Sequence, residues 1–165
     1  MKAVTPQTSE WVDDAPAKIT RSLVVNASPS TIWDILVANE EWPEWFPGFR
    51  SCEFSTAAPH GVGSVRLLRQ DQFRVEERII TWDPGREWGM TVIGMNVPVV
   101  SGMAENVRLT PVDGATTEVQ WDIGVALRWW SRPLRPFLVG KSDKQLQLAL
   151  TALAERAHAA RPATS

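Results

Sequence analysis

The residues best suited to chemistry in this sequence are three ionisable side chains, Arg66, Glu77 and Glu105, in segments with the composition of β-strands. An arginine can hold a carbonyl or carboxylate group and stabilise enolate-like charge, and a glutamate can donate or accept a proton. Because side chains alternate across a strand, Leu68 predicts an inward direction for Arg66, and Val107 predicts the same for Glu105. The three charges could therefore meet in one pocket.

The direction of Glu77 is left open by alternation alone. Two alternating sets occupy residues 73–82, namely Val75, Glu77, Ile79 and Thr81 against Arg74, Glu76, Arg78 and Ile80. Neither set is uniformly apolar, so the pattern is compatible with both orientations. If the three candidate charges do share a pocket, they must pair or keep water, because burying an unpaired charge is costly.

Other reactive side chains are expected to have structural roles. His60 lies in a Pro-His-Gly turn, and His158 lies in the last turn of a predicted helix, where a cation suits the helix dipole. Cys52 is expected to pack as a small hydrophobic residue, and it has no partner for an intrachain disulfide. The sequence has no glycine-rich phosphate loop, no Gly-x-Ser-x-Gly motif and no His-x-x-x-His pair. We therefore expect no metal and no cofactor.

Periodicity and turn signals predict the elements that must position these residues. Residues 18–26 are rich in β-branched side chains and predict a strand, after which Ser28 and Pro29 supply the cap and the first position of a helix. Two prolines in segment 42–48 confine a second helix to a turn or two. Between residues 49 and 127, glycine-containing turns separate about six strands.

A long C-terminal helix is predicted over residues 138–158. Its apolar stripe consists of Leu146, Ala149, Leu150, Leu153 and Ala157. A single stripe beside a one-sided antiparallel sheet predicts an α+β fold in which the sheet curves around the helix. We expect one domain over residues 18–160, a flexible N-terminal extension over residues 1–17 and a loose tail over residues 161–165.

Composition limits the partners and the compartment. The formal net charge is -2 and the basic residues are scattered, so we expect no nucleic-acid partner and no attraction to an anionic bilayer. No apolar run has the length of a membrane-spanning helix, and the N-terminus lacks the apolar core of a signal peptide. Together with the single cysteine, these features predict a cytoplasmic protein that does not insert into membranes.

Short motifs in a fixed order carry a family resemblance. They are Val25-Asn26-Ala27-Ser28-Pro29 with Ile32-Trp33, segment 42–48 (WPEWFPG), Gly61-Val62-Gly63, Glu77-Arg78-Ile79, Trp82-Asp83-Pro84 and Leu109-Thr110-Pro111. Across residues 18–156 the chain resembles the SRPBCC superfamily, also called START-like or helix-grip proteins, and most of all its polyketide cyclase/dehydrase branch. The resemblance implies a strongly curved antiparallel sheet of about seven strands wrapped around the C-terminal helix, with two short helices after the first strand.

The resemblance also implies a cavity between the sheet and the last helix. It favours the face with Val75 and Ile79 as the inward one, which turns Glu77 into the cavity. Arg66, Glu77 and Glu105 are then the candidate catalytic residues. The expected ligand contacts are Leu68, Gln70, Val75, Ile79, Thr81, Trp88, Met90, Val92, Met103, Val107, Trp121, Ile123, Trp129, Leu146 and Leu150.

Three functions are compatible with this resemblance. The first is cyclisation or dehydration of a polyketide-type carbonyl substrate, with Arg66 holding a carbonyl and a glutamate moving protons. The second is non-catalytic carriage or sensing of a lipid, terpenoid or aromatic metabolite, and the third is a protein-interaction module of the co-chaperone kind. For the first two the partner is a small hydrophobic or aromatic molecule, and the expected assembly is a monomer or a weak homodimer.

A simpler role for the charged residues stands beside these functions. The pattern is equally compatible with a structural cross-strand pair of Arg66 and a glutamate, or with a one-residue bulge that turns one of them to solvent.

Overall fold

Most strands of the sheet follow one another in the chain, between a group of short helices and the long C-terminal helix. A computed structural model describes residues 1–160. Its first half contains β1 (Lys2–Ala3), α1 (Trp11–Asp14), β2 (Ala17–Val25), α2 (Pro29–Val37), a 3-10 helix (Asn39–Glu41) and α3 (Trp42–Trp45). The strands that follow are β3 (Phe49–Phe54), β4 (Val65–Gln70), β5 (Phe73–Asp83), β6 (Glu87–Met95), β7 (Val100–Pro111) and β8 (Thr117–Leu127). A second 3-10 helix (Trp129–Leu134) leads into α4 (Arg135–Ala159).

The helix starts follow from the sequence signals. The Ser28 side chain accepts a hydrogen bond from the backbone N–H of Thr31 at 3.2 Å, and Pro29 occupies the first turn of α2. Helix α3 spans four residues before the chain turns extended at Phe46, ahead of Pro47. The two short helices after the main first strand are therefore as the sequence predicts.

The sheet is antiparallel and closes around α4. Its strand order is β2-β8-β7-β6-β5-β4-β3, and β1 pairs with the C-terminal end of β6. Helix α4 packs on β2 at one edge of the sheet and on α3, which itself packs on β3 at the other edge. Both edges thus approach the same helix, which requires a curved sheet. The predicted α+β helix-grip fold is confirmed.

Helix α4 presents the expected stripe to the sheet. Leu146, Ala149, Leu150, Leu153 and Ala157 are its buried residues. The helix begins at Arg135, three residues earlier than the sequence indicates, because Pro136 is tolerated in a first helical turn. No helix among residues 1–160 combines the length and apolar character that crossing a membrane requires. The tail predicted for residues 161–165 lies outside the described residues.

The N-terminal segment differs from the flexible extension that we expected over residues 1–17. Val4 and Val12 are buried, β1 pairs with β6, and the N–H of Gln7 donates to Thr91 Oγ1 at 2.8 Å. This segment lies on the outer face of the sheet. It fits there because Gly124 presents no side chain beneath α1. The polar, proline-containing composition of this segment gives no indication that Val4 and Val12 are buried.

Gly124 allows a test of this packing. A Cβ at Gly124 would lie 2.9 Å from the Ala15 Cβ and 3.0 Å from the Val12 Cα. We expect Gly124→Ala to lower the free energy of unfolding by about 1–3 kcal/mol, because backbone as well as side chains must move. Urea unfolding measures the change. Gly114→Ala, whose Cβ meets nothing within 4 Å, is the matched control, and an equal effect at both glycines would contradict the packing.

Candidate functional site

A cavity of about 250 Å³ lies between the inner face of the sheet and the first half of α4. Twelve residues singled out from the sequence contribute to its wall. They are Arg66, Leu68, Gln70, Val75, Glu77, Met90, Val92, Met103, Glu105, Trp121, Ile123 and Leu146. The inward direction of Glu77, which alternation left open, is therefore the one that the structure shows.

Six of the expected ligand contacts lie away from the cavity wall. Ile79, Val107 and Leu150 are buried in the core, where side chains pack against one another and leave no cavity. The Trp88 ring is equally buried, and it packs on the guanidinium of Arg66. Trp129 is 78% exposed on the surface. Strand alternation predicts a face, but not where along that face the core ends and the cavity begins.

Thr81 is the sixth expected ligand contact that lies away from the cavity wall, and a β-bulge explains its position. The register of β5 on β6 shifts between Ile79 and Thr81, so Ile80 is an extra residue. Since one extra residue reverses the side-chain direction of everything beyond it, Thr81 faces outward. There its hydroxyl lies 2.6 Å from that of Ser9 in the N-terminal segment.

Arg66 is fully enclosed beside the cavity. Its guanidinium carbon lies 4.4 Å from the ring centroid of Trp42 and 4.5 Å from that of Trp88. Two aromatic faces thus cover the cation, which is a favourable cation–π arrangement. The side chain has no solvent-exposed surface, although Arg66 belongs to the cavity wall.

The donors of Arg66 are directed at protein acceptors. Nε and Nη2 each lie 2.7 Å from Oε2 of Glu77, and Nη1 donates to Oδ1 of Asn39 at 2.7 Å. Glu77 stands directly opposite Arg66 in the β4–β5 ladder. The two residues therefore form the cross-strand pair of the simpler interpretation, and Oε2 alone of the two Glu77 oxygens is engaged by the arginine.

Glu105 occupies a different environment in the same wall. Its Oε2 accepts a hydrogen bond from Trp121 Nε1 at 2.8 Å, and no guanidinium is paired with it. Burial and the nearby charge of Glu77 raise the pKa of Glu105 to about 8, although the Trp121 hydrogen bond and Arg66 oppose the shift. At neutral pH this carboxyl group is therefore protonated and can donate a hydrogen bond.

Of the two buried glutamates, Glu77 is the ionised one. Burial raises its pKa, and the ion pair and hydrogen bonds with Arg66 act against that rise. A fully buried guanidinium stays protonated and needs a countercharge, which Glu77 supplies at 2.7 Å. The site therefore holds one carboxylate and one carboxylic acid, on the strands either side of β6.

The remaining reactive side chains have structural surroundings. Burial raises the pKa of the Cys52 thiol to about 11, and its Sγ lies 3.7 Å from Oδ1 of Asn39. His60 stacks on Phe54 with ring centroids 3.8 Å apart. Within residues 1–160, no group of three His, Cys, Asp or Glu side chains is arranged to hold a metal ion.

Sequence reasoning missed much of the cavity wall. Trp42 of α3 and Phe46 at its C-terminal end form part of it, whereas the two prolines beside these rings favour a packing role in the sequence. The polar part of the wall was also missed, and it comprises Asp71, Lys141, Ser142 and Gln145 beside the predicted Gln70. The sequence does contain a signal for this polar part of the wall. The first turns of the predicted C-terminal helix carry Lys141, Ser142 and Gln145 beside the apolar Leu138 and Val139.

Fold and cavity together define a helix-grip protein that binds hydrophobic ligands. Residues 16–158 match the family described as "Polyketide cyclase / dehydrase and lipid transport", and the chain belongs to this family. A protein of Mycobacterium tuberculosis, described as uncharacterized, is 21% identical over 133 residues, which cover 78% of this chain and 79% of the relative.

Two solved structures share the fold. The ZhuI aromatase/cyclase from Streptomyces sp. R1128 superposes with a TM-score of 0.77 at 18% identity, covering 89% of this chain and 96% of that one. A START superfamily protein from Mycobacterium smegmatis has a TM-score of 0.75 at 16% identity, covering 87% and 99%. At such identities the likeness establishes the fold.

The buried pair makes a prediction about stability. Arg66→Met leaves the Glu77 charge buried without a partner, which should cost about 3–5 kcal/mol in urea unfolding, whereas the double variant Arg66→Met/Glu77→Leu should recover most of that loss. The exposed pair of Arg21 with Asp143 is the matched control, and Arg21→Met should cost no more than about 1 kcal/mol. A double variant as unstable as the sum of its single variants would contradict the pairing.

Glu105 makes a prediction about pH. Its pKa is about 8 in the folded protein and 4.5 when unperturbed, so between these values the unfolded chain has released a proton that the folded chain keeps. The stabilising contribution is complete below the unfolded pKa and is lost as the pH rises toward the folded pKa, by about 1.4 kcal/mol per pH unit. Urea unfolding across this range should show this slope in the native protein and lose it in Glu105→Gln. Parallel pH profiles would contradict the assignment.

Proposed function

We propose that the cavity binds a hydrophobic molecule bearing a carbonyl group and promotes its enolisation, the proton transfer that cyclisation and dehydration of polyketide-type substrates share. The observation that carries this proposal is the unequal pair of carboxyl groups in one apolar wall. Glu77 is tied to Arg66 at 2.7 Å, while Glu105 is bonded to the indole of Trp121. Groups whose environments separate their pKa values are suited to act as base and acid.

The proton transfers follow from these states. Glu105, as the acid, donates its proton to the carbonyl oxygen of the ligand. The free oxygen of Glu77, as the base, removes a proton from the adjacent carbon, so a C–H bond breaks and an enol O–H bond forms. The resulting enol is the nucleophile for carbon–carbon bond formation. Return of the proton from Glu77 to Glu105 through the product or water restores the starting state.

Arg66 has a different role from the substrate anchor that we expected from the sequence. Its nitrogen atoms donate to Glu77, Asn39 and the sulfur of Met90, and the two indole rings cover its faces. We therefore assign Arg66 as a positioning residue that keeps Glu77 ionised and fixes its direction. Arg66→Ala should consequently act on the base and not on carbonyl binding.

The family description and the apolar wall also support a second candidate, non-catalytic carriage of a lipid or aromatic metabolite. Most of the cavity wall is aliphatic or aromatic, which suits binding by apolar burial alone. In this case the two carboxyl groups orient a polar end of the ligand without chemistry. The presence of an internal cavity favours either small-molecule function over an interaction module.

A ketone probe separates catalysis from carriage. Methyl naphthyl ketone in deuterium oxide exchanges its methyl protons through the enol or the enolate, so proton NMR measures enolisation and indole fluorescence quenching measures binding. We expect the native protein to accelerate exchange and Glu105→Gln to lower the rate by about a hundredfold while binding persists. The acceleration should also fall above the pKa of about 8, where Glu105 loses its proton.

The controls separate the cavity from the rest of the surface. Met103→Trp adds a larger side chain to the cavity wall and should weaken both binding and exchange, whereas Leu67→Trp, at a residue 45% exposed on the outside of β4, should preserve both. Binding without accelerated exchange in the native protein would favour the carrier. Exchange that persists at the native rate in Met103→Trp would place the chemistry elsewhere.

A further inference from the structure

An exposed aromatic cluster lies where the sheet gives way to α4. It consists of Trp129, Trp130, Leu134 and Phe137, which are 78%, 46%, 48% and 70% exposed. Four large apolar side chains within nine residues form a concentration of apolar surface, whereas isolated exposed residues need no explanation. We call this cluster the aromatic patch.

Basic residues are interleaved with the aromatic patch. Residues 128–142 carry Arg128, Arg132, Arg135 and Lys141 and no acidic residue. Nη2 of Arg128 donates to the Ala3 carbonyl and Arg135 donates to the Pro16 carbonyl, contacts that hold these side chains without neutralising them. Among the described residues, the ion pairs formed by arginine and lysine involve Lys18, Arg21, Arg50, Arg66, Arg108 and Arg156. The patch therefore keeps its positive charge, which the overall net charge of -2 conceals.

The aromatic patch is continuous with the cavity wall. Leu138 and Val139, which follow Phe137 directly in α4, line the cavity. Val99 lines it as well, and its carbonyl accepts hydrogen bonds from the N–H of Arg128 at 3.0 Å and from Ser131 Oγ at 2.7 Å. The segment that carries the patch is thus fixed to the rim of the cavity.

We propose that the aromatic patch docks this protein on the surface of an anionic lipid bilayer, with the rim of the cavity against the headgroups. Tryptophan rings with interspersed arginines suit this interface, because the rings enter the headgroup region while the cations meet anionic lipid. A hydrophobic ligand dissolves in a bilayer more readily than in water. A cavity rim held at the bilayer therefore meets its ligand without an aqueous step.

Charge favours lipid over a second copy of the chain. A symmetric dimer formed through the patch would bring its arginines against their own equivalents, and like charges in contact oppose association. An anionic bilayer offers the opposite sign over its whole surface. Docking of this kind needs no spanning segment, and it adds a surface role to the chain beyond the proposed carbonyl chemistry.

Vesicle co-sedimentation of the full chain tests the proposal. The probes are vesicles of phosphatidylcholine alone and vesicles with an equal part of phosphatidylglycerol, each at low and high salt. We expect binding to the anionic vesicles that weakens with salt. Trp129→Ala/Phe137→Ala should weaken it by about tenfold through lost apolar burial. Arg132→Gln should weaken it by about fivefold through one lost charge.

Matched variants at the far end of β7 provide the controls. Val112→Ala removes another exposed apolar side chain, and Arg86→Gln removes another exposed cation, so both should bind like the native protein. Equal binding to neutral vesicles, no binding to either kind, or retention by the patch variants overturns the proposal. A dimer in solution that the Trp129→Ala/Phe137→Ala variant lacks assigns the patch to a second copy and overturns it as well.

Discussion

The enclosed ion pair of Arg66 and Glu77 is the constraint on which the site depends. A guanidinium without exposed surface needs a countercharge, acceptors for its N–H groups and neighbours for its faces. Glu77 on β5 supplies the first, Asn39 contributes to the second, and Trp42 and Trp88 supply the third. These partners come from the short helices and from two strands, β5 and β6. One cation therefore fixes the helical connection against the sheet.

The same ion pair sets the state of Glu105. Burial is the main cause of the raised pKa of Glu105, and the charge of Glu77 raises that pKa further, while Arg66, already compensated by Glu77, opposes the rise too weakly to ionise a second buried carboxyl group. The unequal states of the two glutamates follow because Glu77 is paired with the arginine and Glu105 is not. Replacing Arg66 would thus alter both carboxyl groups.

The sequence is sufficient to predict the architecture, because the Ser28-Pro29 start, the turns and the stripe from Leu146 to Ala157 are local signals. Alternation also predicts that the side chains of Arg66 and Glu105 point inward, whereas the direction of Glu77 can be predicted only with the family resemblance. Thr81 could not be placed, since a bulge at Ile80 depends on how β5 meets β6 and not on its own residues. The enclosure of Arg66 by Trp42 and Asn39 could not be predicted either, because it rests on contacts between residues more than twenty positions apart.

The polarity of the side chains changes between the protein surface and the buried carboxyl groups in a way that suits a hydrophobic ligand with one polar group. The aromatic patch and its arginines lie outside, Leu138 and Val139 continue the apolar surface inward, and the carboxyl groups lie beyond them in the wall. An apolar molecule loses water along this route, passes the polar side chains of Lys141, Ser142 and Gln145, and meets the two carboxyl groups at the buried end. Because those groups are already paired or protonated, the site holds no unpaired charge. Binding then replaces water around a neutral acid, which is less costly than desolvating an ion.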